Sequence, residues 1–139
     1  MPRRPVVLVV VAIAAIALGA GAAEAKTPAG PATVVRAWTV ALNRGDNEAA
    51  ANLFAKNAVV VQNGLKLVLF NHHVAVLWME GLPCSGRIVE LRVRKNVADA
   101  TFVLGTRKRV KCDAPGIKAR ALFRVRKGKI VAWAQVAIA

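Results

Sequence analysis

Six side chains in this sequence are of types that could do chemistry from inside a folded domain. Cys84 sits in GLPCSG (81–86) and Cys112 in RVKCDAPG (109–116), and there is no third cysteine. His72 and His73 are adjacent, and Glu90 and Asp99 are the only acids within alternating, strand-like segments. Each type admits a specific chemistry. A cysteine nucleophile needs a base or cation nearby to hold it as thiolate, and Cys84 has no histidine or acid close in sequence. A metal site needs more ligands than two cysteines 28 positions apart. Adjacent positions on a helix point about 100° apart, so His72 and His73 do not converge on one ion. One neutral imidazole at a pocket mouth would serve as base or hydrogen-bond donor. Glu90 is readable as a pocket acid or as the solvated partner of Arg92, and Asp99 as a surface residue beside a turn. No metal-ligand set and no cofactor motif is found.

The third use of two cysteines is a disulfide, which requires an oxidising compartment and short reach. The start of the chain bears on the compartment. MPRR is basic, Val6–Leu18 is apolar without a break, and Ala23-Glu24-Ala25 places small residues before Lys26. This is the layout of a secretory signal peptide over 1–25, with an uncleaved membrane anchor as the competing reading. The expected location is secreted, periplasmic or cell-envelope, with no integral span once the leader is removed. The elements bear on reach. If RIVELRVR (87–94) and ADATFVLGT (98–106) pair about a turn at Lys95-Asn96, Cys84 falls opposite residue 107. Cys112 then lies a few residues beyond, in a connection able to fold back. The sequence therefore predicts a Cys84–Cys112 bridge.

From Lys26 onward the chain carries 19 basic and 6 acidic residues, and 14 of the basic ones lie between Arg87 and Lys129. Such an excess suits an anionic partner such as an envelope polymer, lipid headgroups or nucleic acid, or a solvated exported surface.

The positioning elements follow from periodicity. Residues 26–32, KTPAGPA, read as a linker, and residues 33–139 as one domain. Thr33 is a candidate cap for a helix whose Val34, Val35, Trp38, Ala41 and Leu42 make one apolar stripe. Gly45 ends it, and Asp46 caps a second helix, NEAAANLFA, with Ala49, Ala50, Leu53 and Phe54 buried. The RGD at 44–46 is thus helix end and next cap rather than a recognition tripeptide. AVVVQ (58–62) and LKLVLF (65–70) are strands about Asn63-Gly64. Asn71 caps a third helix. KARALFRVR and KIVAWAQVA form a last hairpin about Lys127-Gly128. A two-residue turn there pairs Val125 with Ile130, Phe123 with Ala132 and Ala121 with Ala134. It puts Trp133 and Gln135 on the opposite face, and Ala119, Ala121, Ala132 and Ala134 together. The order indicates α+β with helices against a curved antiparallel sheet.

WTVALNRGDNEAAANLFAKNAVV (38–60) and FRVRKGKIVAWAQV (123–136) together resemble the nuclear transport factor 2-like superfamily, nearest its SnoaL-like group. The resemblance covers nearly all of 33–139. It implies a cone-shaped roll in which three N-terminal helices fold across a curved antiparallel sheet and enclose a pocket, and it implies frequent dimers. Trp38, Gln62, Trp78, Phe102 and Phe123 are the candidate pocket residues. Laid on the ketosteroid isomerase branch, the oxyanion-stabilising position falls on Trp38 and the general base on Gln62. Glutamine cannot abstract a carbon-bound proton. The acid–arginine–acid set of the limonene-type epoxide hydrolases is likewise missing, with Gln135 following the closing tryptophan. Three functions stay open. One is a binding or accessory module for a small apolar molecule or a protein partner. The second is an enzyme on a small hydrophobic substrate using His72, His73 or Glu90. The third is a basic domain holding an anionic polymer.

Overall fold

The computed structural model of the chain describes Gly19, Gly21 and residues 26–138. The leader expected over 1–25 and its cleavage site lie outside the described residues. Helix α1 spans Pro31–Asn43 and α2 Asn47–Ala51. Strands β1 (Phe54–Gln62) and β2 (Leu65–Leu69) follow, then α3 (His72–Gly81). Strands β3 (Cys84–Arg94), β4 (Val97–Thr106), β5 (Lys118–Arg126) and β6 (Lys129–Val136) complete one open, curved six-stranded sheet in the order β2-β1-β6-β5-β4-β3.

The caps explain the helix limits. Asp46 accepts from the Ala49 amide and Asn71 from the Val74 amide, as their residue types foretold. Gly45 sits at φ 71°, the left-handed conformation that ends α1 at little cost to glycine. Helix α1 begins earlier than Thr33, because Gly30 is its cap and Pro31 occupies the first turn, where a missing amide hydrogen costs nothing. Helix α2 is shorter than expected. Phe54 opens β1 instead of closing the helix, since Ile130 donates to the Leu53 carbonyl and draws the chain into the sheet.

Two expectations about architecture are corrected. The sheet is mixed, because β1 runs parallel to β6 although every other neighbour is antiparallel. Only two helices precede the sheet, and the third is inserted between β2 and β3. The last hairpin is also out of its expected register. Val125 pairs with Ile130 as read, but a bulge between Arg124 and Val125 makes Phe123 face Trp133 and Ala121 face Gln135. One extra residue moves every later side chain to the other face. Trp133 therefore turns inward, and Ala132 and Ala134 turn outward opposite Arg124 and Leu122.

The inner face carries a chain of six rings. Phe102 meets Trp38 at 6.3 Å between centroids and Trp38 meets Phe123 at 5.3 Å. Phe123 meets Trp133 at 6.4 Å, Trp133 meets Trp78 at 5.0 Å, and Trp78 meets Phe54 at 5.6 Å. All five pairs are edge-to-face, the arrangement ring quadrupoles favour. Among the described residues, every buried member of the hydrophobic core lies between Val34 and Trp133, so a chain starting at Lys26 carries all of them.

One buried residue is a cation. Arg107, 3% exposed, follows β4 and reaches under α3. Its guanidinium donates to the Met79 and Leu82 carbonyls at 2.6 and 2.7 Å and to the Asn47 side-chain oxygen. Met79 and Leu82 are at the C-terminal end of α3, where carbonyls lack helical partners and the dipole is negative. Burial pushes the guanidinium pKa down. Replacing Arg107 by Ala removes three hydrogen bonds and leaves the buried Leu82 carbonyl without its donor, while the Met79 carbonyl keeps the Leu82 amide. Since hydrogen bonds to a charged group contribute about 1.5–3 kcal/mol each, a loss of about 3 kcal/mol or more is expected. Urea denaturation of R107A and R107K checks it, with lysine recovering only part because it lacks the planar fork.

Candidate functional site

A cavity of about 320 Å³ lies between α1 and the inner face of the sheet. It opens where β1 and β6 end and β3 and β5 begin. Its walls come from four sources. Helix α1 gives Trp38 and Leu42. Strands β4 and β5 give Phe102, Leu104, Ala119 and Ala121. The ends of β1 and β6 give Gln62, Trp133 and Gln135. The rim is made by Leu82–Gly86 and by Asp113, Ala114 and Ile117 of the β4–β5 connection.

Small residues make the space. Ala119 and Ala121 stand where larger side chains would reach α1. Gly86 is pressed against Phe102, and a Cβ there would lie 2.9 Å from the Phe102 ring, so glycine lets β3 close on β4. The Asn43 amide then clamps α1 to the same residue. Its nitrogen donates to the Gly86 carbonyl at 2.8 Å, and its oxygen accepts from the Gly86 amide at 3.0 Å.

Cys84 and Cys112 form a disulfide with their Cα atoms 4.5 Å apart. Cys84 faces Thr106 rather than residue 107, because a bulge at Ile88–Glu90 removes one step from the β3–β4 register. The bridge staples the β4–β5 connection across the cavity rim. The same connection is held by Leu104 donating to the Ile117 carbonyl and Gly116 donating to the Leu104 carbonyl, both at 2.8 Å. Asp113 places a carboxylate oxygen 3.3 Å from the Cys84 sulfur. Both sulfurs are consumed by the bridge, so this trio presents neither thiolate nucleophile nor thiolate ligand. Intact-mass analysis without reductant is expected to find no free thiol. Reduction is expected to lower stability by about 3–4 kcal/mol on the chain-entropy account of a 28-residue loop.

The candidate residues separate clearly. Trp38, Gln62 and Phe102 border the cavity. Trp78 and Phe123 do not: Phe123 is fully buried between Trp38 and Trp133, and Trp78 packs on Phe54 and Trp133. The Trp38 indole N–H is already committed, donating to the Met79 sulfur at 3.3 Å. His72 is exposed and bonded to Glu48 at 2.5 Å, and His73 is exposed beside it. Glu90 is on the outer face of the sheet, 2.5 Å from Arg92. None of these three borders the cavity. Trp133 and Gln135 do, and sequence reasoning missed their direction because an unseen bulge sets it. The Trp133 indole N–H is buried with no acceptor among the described residues.

A second, shallower recess on the outer face is bordered by Glu90, Arg92, Asp99, Thr101, Lys118, Arg120 and Ile138. There Arg120 grips Asp99 with two parallel bonds of 2.8 and 2.7 Å. That hydrogen-bonded guanidinium, more than its charge alone or that of Arg92, holds the Asp99 carboxyl below the usual range. A depressed folded-state pKa stabilises above the ordinary carboxylate value of about 3.9, and the contribution disappears as pH falls through the folded value. D99N should therefore lose less stability than the parent protein between about pH 5 and pH 2 in acid denaturation followed by circular dichroism.

No family model matches the sequence, and no curated protein matches it. Solved structures do match in fold. An NTF2-like protein of unknown function from Cytophaga hutchinsonii superposes with a TM-score of 0.66 at 16% identity, covering 81% of this chain and 93% of that one. A polyketide cyclase candidate from Sinorhizobium meliloti gives 0.63 at 17% identity, covering 75% and 94%. A protein with a ketosteroid isomerase-like fold from Catenulispora acidiphila, in complex with trimethylamine, gives 0.61 at 16%, covering 77% and 86%. The chain has the nuclear transport factor 2-like fold that its two sequence motifs suggested.

Proposed function

We propose that this domain is a binding module that takes a small, largely apolar molecule into the cavity between α1 and the sheet, without acid–base catalysis there. One observation carries the reading. The walls are mainly aromatic and aliphatic; the neutral polar residues bordering them are Thr39, Gln62, Asn63, Ser85 and Gln135, and the cations are Lys118 and Arg120 at the start of β5. Among the described residues the one carboxylate is Asp113 at the exposed rim, so no carboxylate or imidazole lies inside. A pocket with apolar walls and a few fixed polar groups suits recognition of a small ligand. Abstraction of a carbon-bound proton needs a base within hydrogen-bond reach of the substrate. Gln62 and Trp38 occupy the positions where the isomerase branch places its acid–base pair, and neither side chain can serve as that base. The neighbours described as cyclase or isomerase-like share the fold, and fold alone does not transfer chemistry. The disulfide and the leader-like start of the sequence support an exported setting for this module.

The test uses N-phenyl-1-naphthylamine, a neutral apolar fluorophore. It is expected to bind with quenching of tryptophan emission, because Trp38 and Trp133 border the space. Ala121→Leu adds three carbons inside the cavity and is expected to weaken binding about ten-fold or more while costing about 1–3 kcal/mol of stability. Binding unaffected by A121L would place the fluorophore elsewhere and sink this reading. Turnover of a small hydrophobic substrate that A121L abolishes would replace it with the enzymatic one.

A further inference from the structure

The excess positive charge is not spread evenly, and its place in the fold has a consequence beyond the cavity. Strands β3 and β5 end, and β4 and β6 begin, at the edge of the sheet opposite the cavity mouth. Strand β4 crosses between the two edges in ten residues, a separation of about 30 Å. At the far edge stand Arg94, Lys95, Arg124, Arg126 and Lys127, all exposed. Register puts Arg94, Val97 and Arg124 in one row across β3, β4 and β5, so the two arginines share the outer face on backbones about 10 Å apart. Arg126 lies on the same face about 7 Å further along β5. Among the described residues none of the five is in an ion pair, and the two acids on this face are taken, Glu90 by Arg92 and Asp99 by Arg120.

Three features narrow what such a surface would meet. Guanidiniums pair with phosphate through a planar fork, which favours phosphate-bearing partners. Single-stranded nucleic acid is usually held by aromatic platforms as well, whereas here six of the seven rings are in the internal chain, and Phe70 lies just past β2, the opposite edge strand. The third feature is the path of the chain. Residues 28 and 29 pass over the β5–β6 turn, since a Cβ at Gly128 would lie 3.5 Å from the Ala29 nitrogen and 3.7 Å from the Pro28 Cβ. Nine residues, 19–27, separate that point from the apolar run Val6–Leu18, a reach of about 30 Å at most. In a chain held in a bilayer through that run, the tether would leave the domain at this edge, about 30 Å from the cavity mouth.

We propose that the Arg94–Lys95 and Arg124–Arg126–Lys127 edge of the sheet docks onto an anionic phospholipid surface, with the cavity mouth directed away from it. The apolar run Val6–Leu18 would bind lipid by itself, so the test uses the chain from Lys26, which holds every described core residue. It is expected to co-sediment with equimolar phosphatidylglycerol–phosphatidylcholine vesicles, to be released by high salt, and to ignore phosphatidylcholine alone. Each neutralised cation should weaken binding about five-fold. R94Q/R124Q/R126Q should then bind about 100-fold more weakly, with an unchanged melting temperature and unchanged fluorophore binding in the cavity. R87Q/K108Q/K111Q removes the same charge elsewhere and should lose much less. No binding to the anionic vesicles, or an equal loss in both triple variants, overturns the proposal. Binding to duplex DNA or soluble polyphosphate without vesicle binding overturns it as well, in favour of a soluble polyanion.

Discussion

The fold turns on a buried guanidinium. Arg107 gathers the C-terminal carbonyls of α3 and the side chain that opens α2, so three elements distant in sequence share one donor group. Among the described residues no carboxylate answers its charge. The compensation comes from oriented dipoles at a helix end, which cost no further ionised group to bury. Five residues later Cys112 is bonded to Cys84. The β4–β5 connection is therefore fixed at its root by hydrogen bonds and at its middle by a covalent bond. That connection supplies part of the cavity rim, which makes the rim a stapled wall.

The cavity exists because the two layers are held apart and then left unfilled. Asn43 clamps α1 to Gly86, and the aromatic chain from Phe102 to Phe54 props the layers along the rest of the core. Alanines on β5 leave the gap. Trp38 is a hydrogen-bonded core residue and Gln62 a neutral amide at the cavity wall. The charge distribution has a complementary logic, with the carboxylates of the outer face paired off and the arginines at the far edge left free.

Several features were legible before any coordinates. Asp46 and Asn71 are caps by residue type, Asn63-Gly64 and Lys127-Gly128 turn where their chemistry says, and the two cysteines meet as predicted. The misread strand faces share one cause. Strand alternation assigns faces only while the register is regular, and bulges at Arg124–Val125 and Ile88–Glu90 each shift it by one. Trp133, Ala132 and Ala134 were consequently placed on the wrong sides. Arg107 was hidden among its basic neighbours Lys108, Arg109 and Lys111, because nothing local marks which of four cations is buried.

The sequence by itself determined the caps of the second and third helices, the turns and the bridge, since these depend on residue type and short spacing. Tertiary structure alone decided that β1 lies parallel to β6, that Trp133 and Gln135 face the cavity, and that Arg107 rather than its neighbours enters the core. Those outcomes depend on which distant backbone groups come together. Pairing energy is shared across many residues, and a single bulge, invisible to local propensity, changes the partner of every residue beyond it.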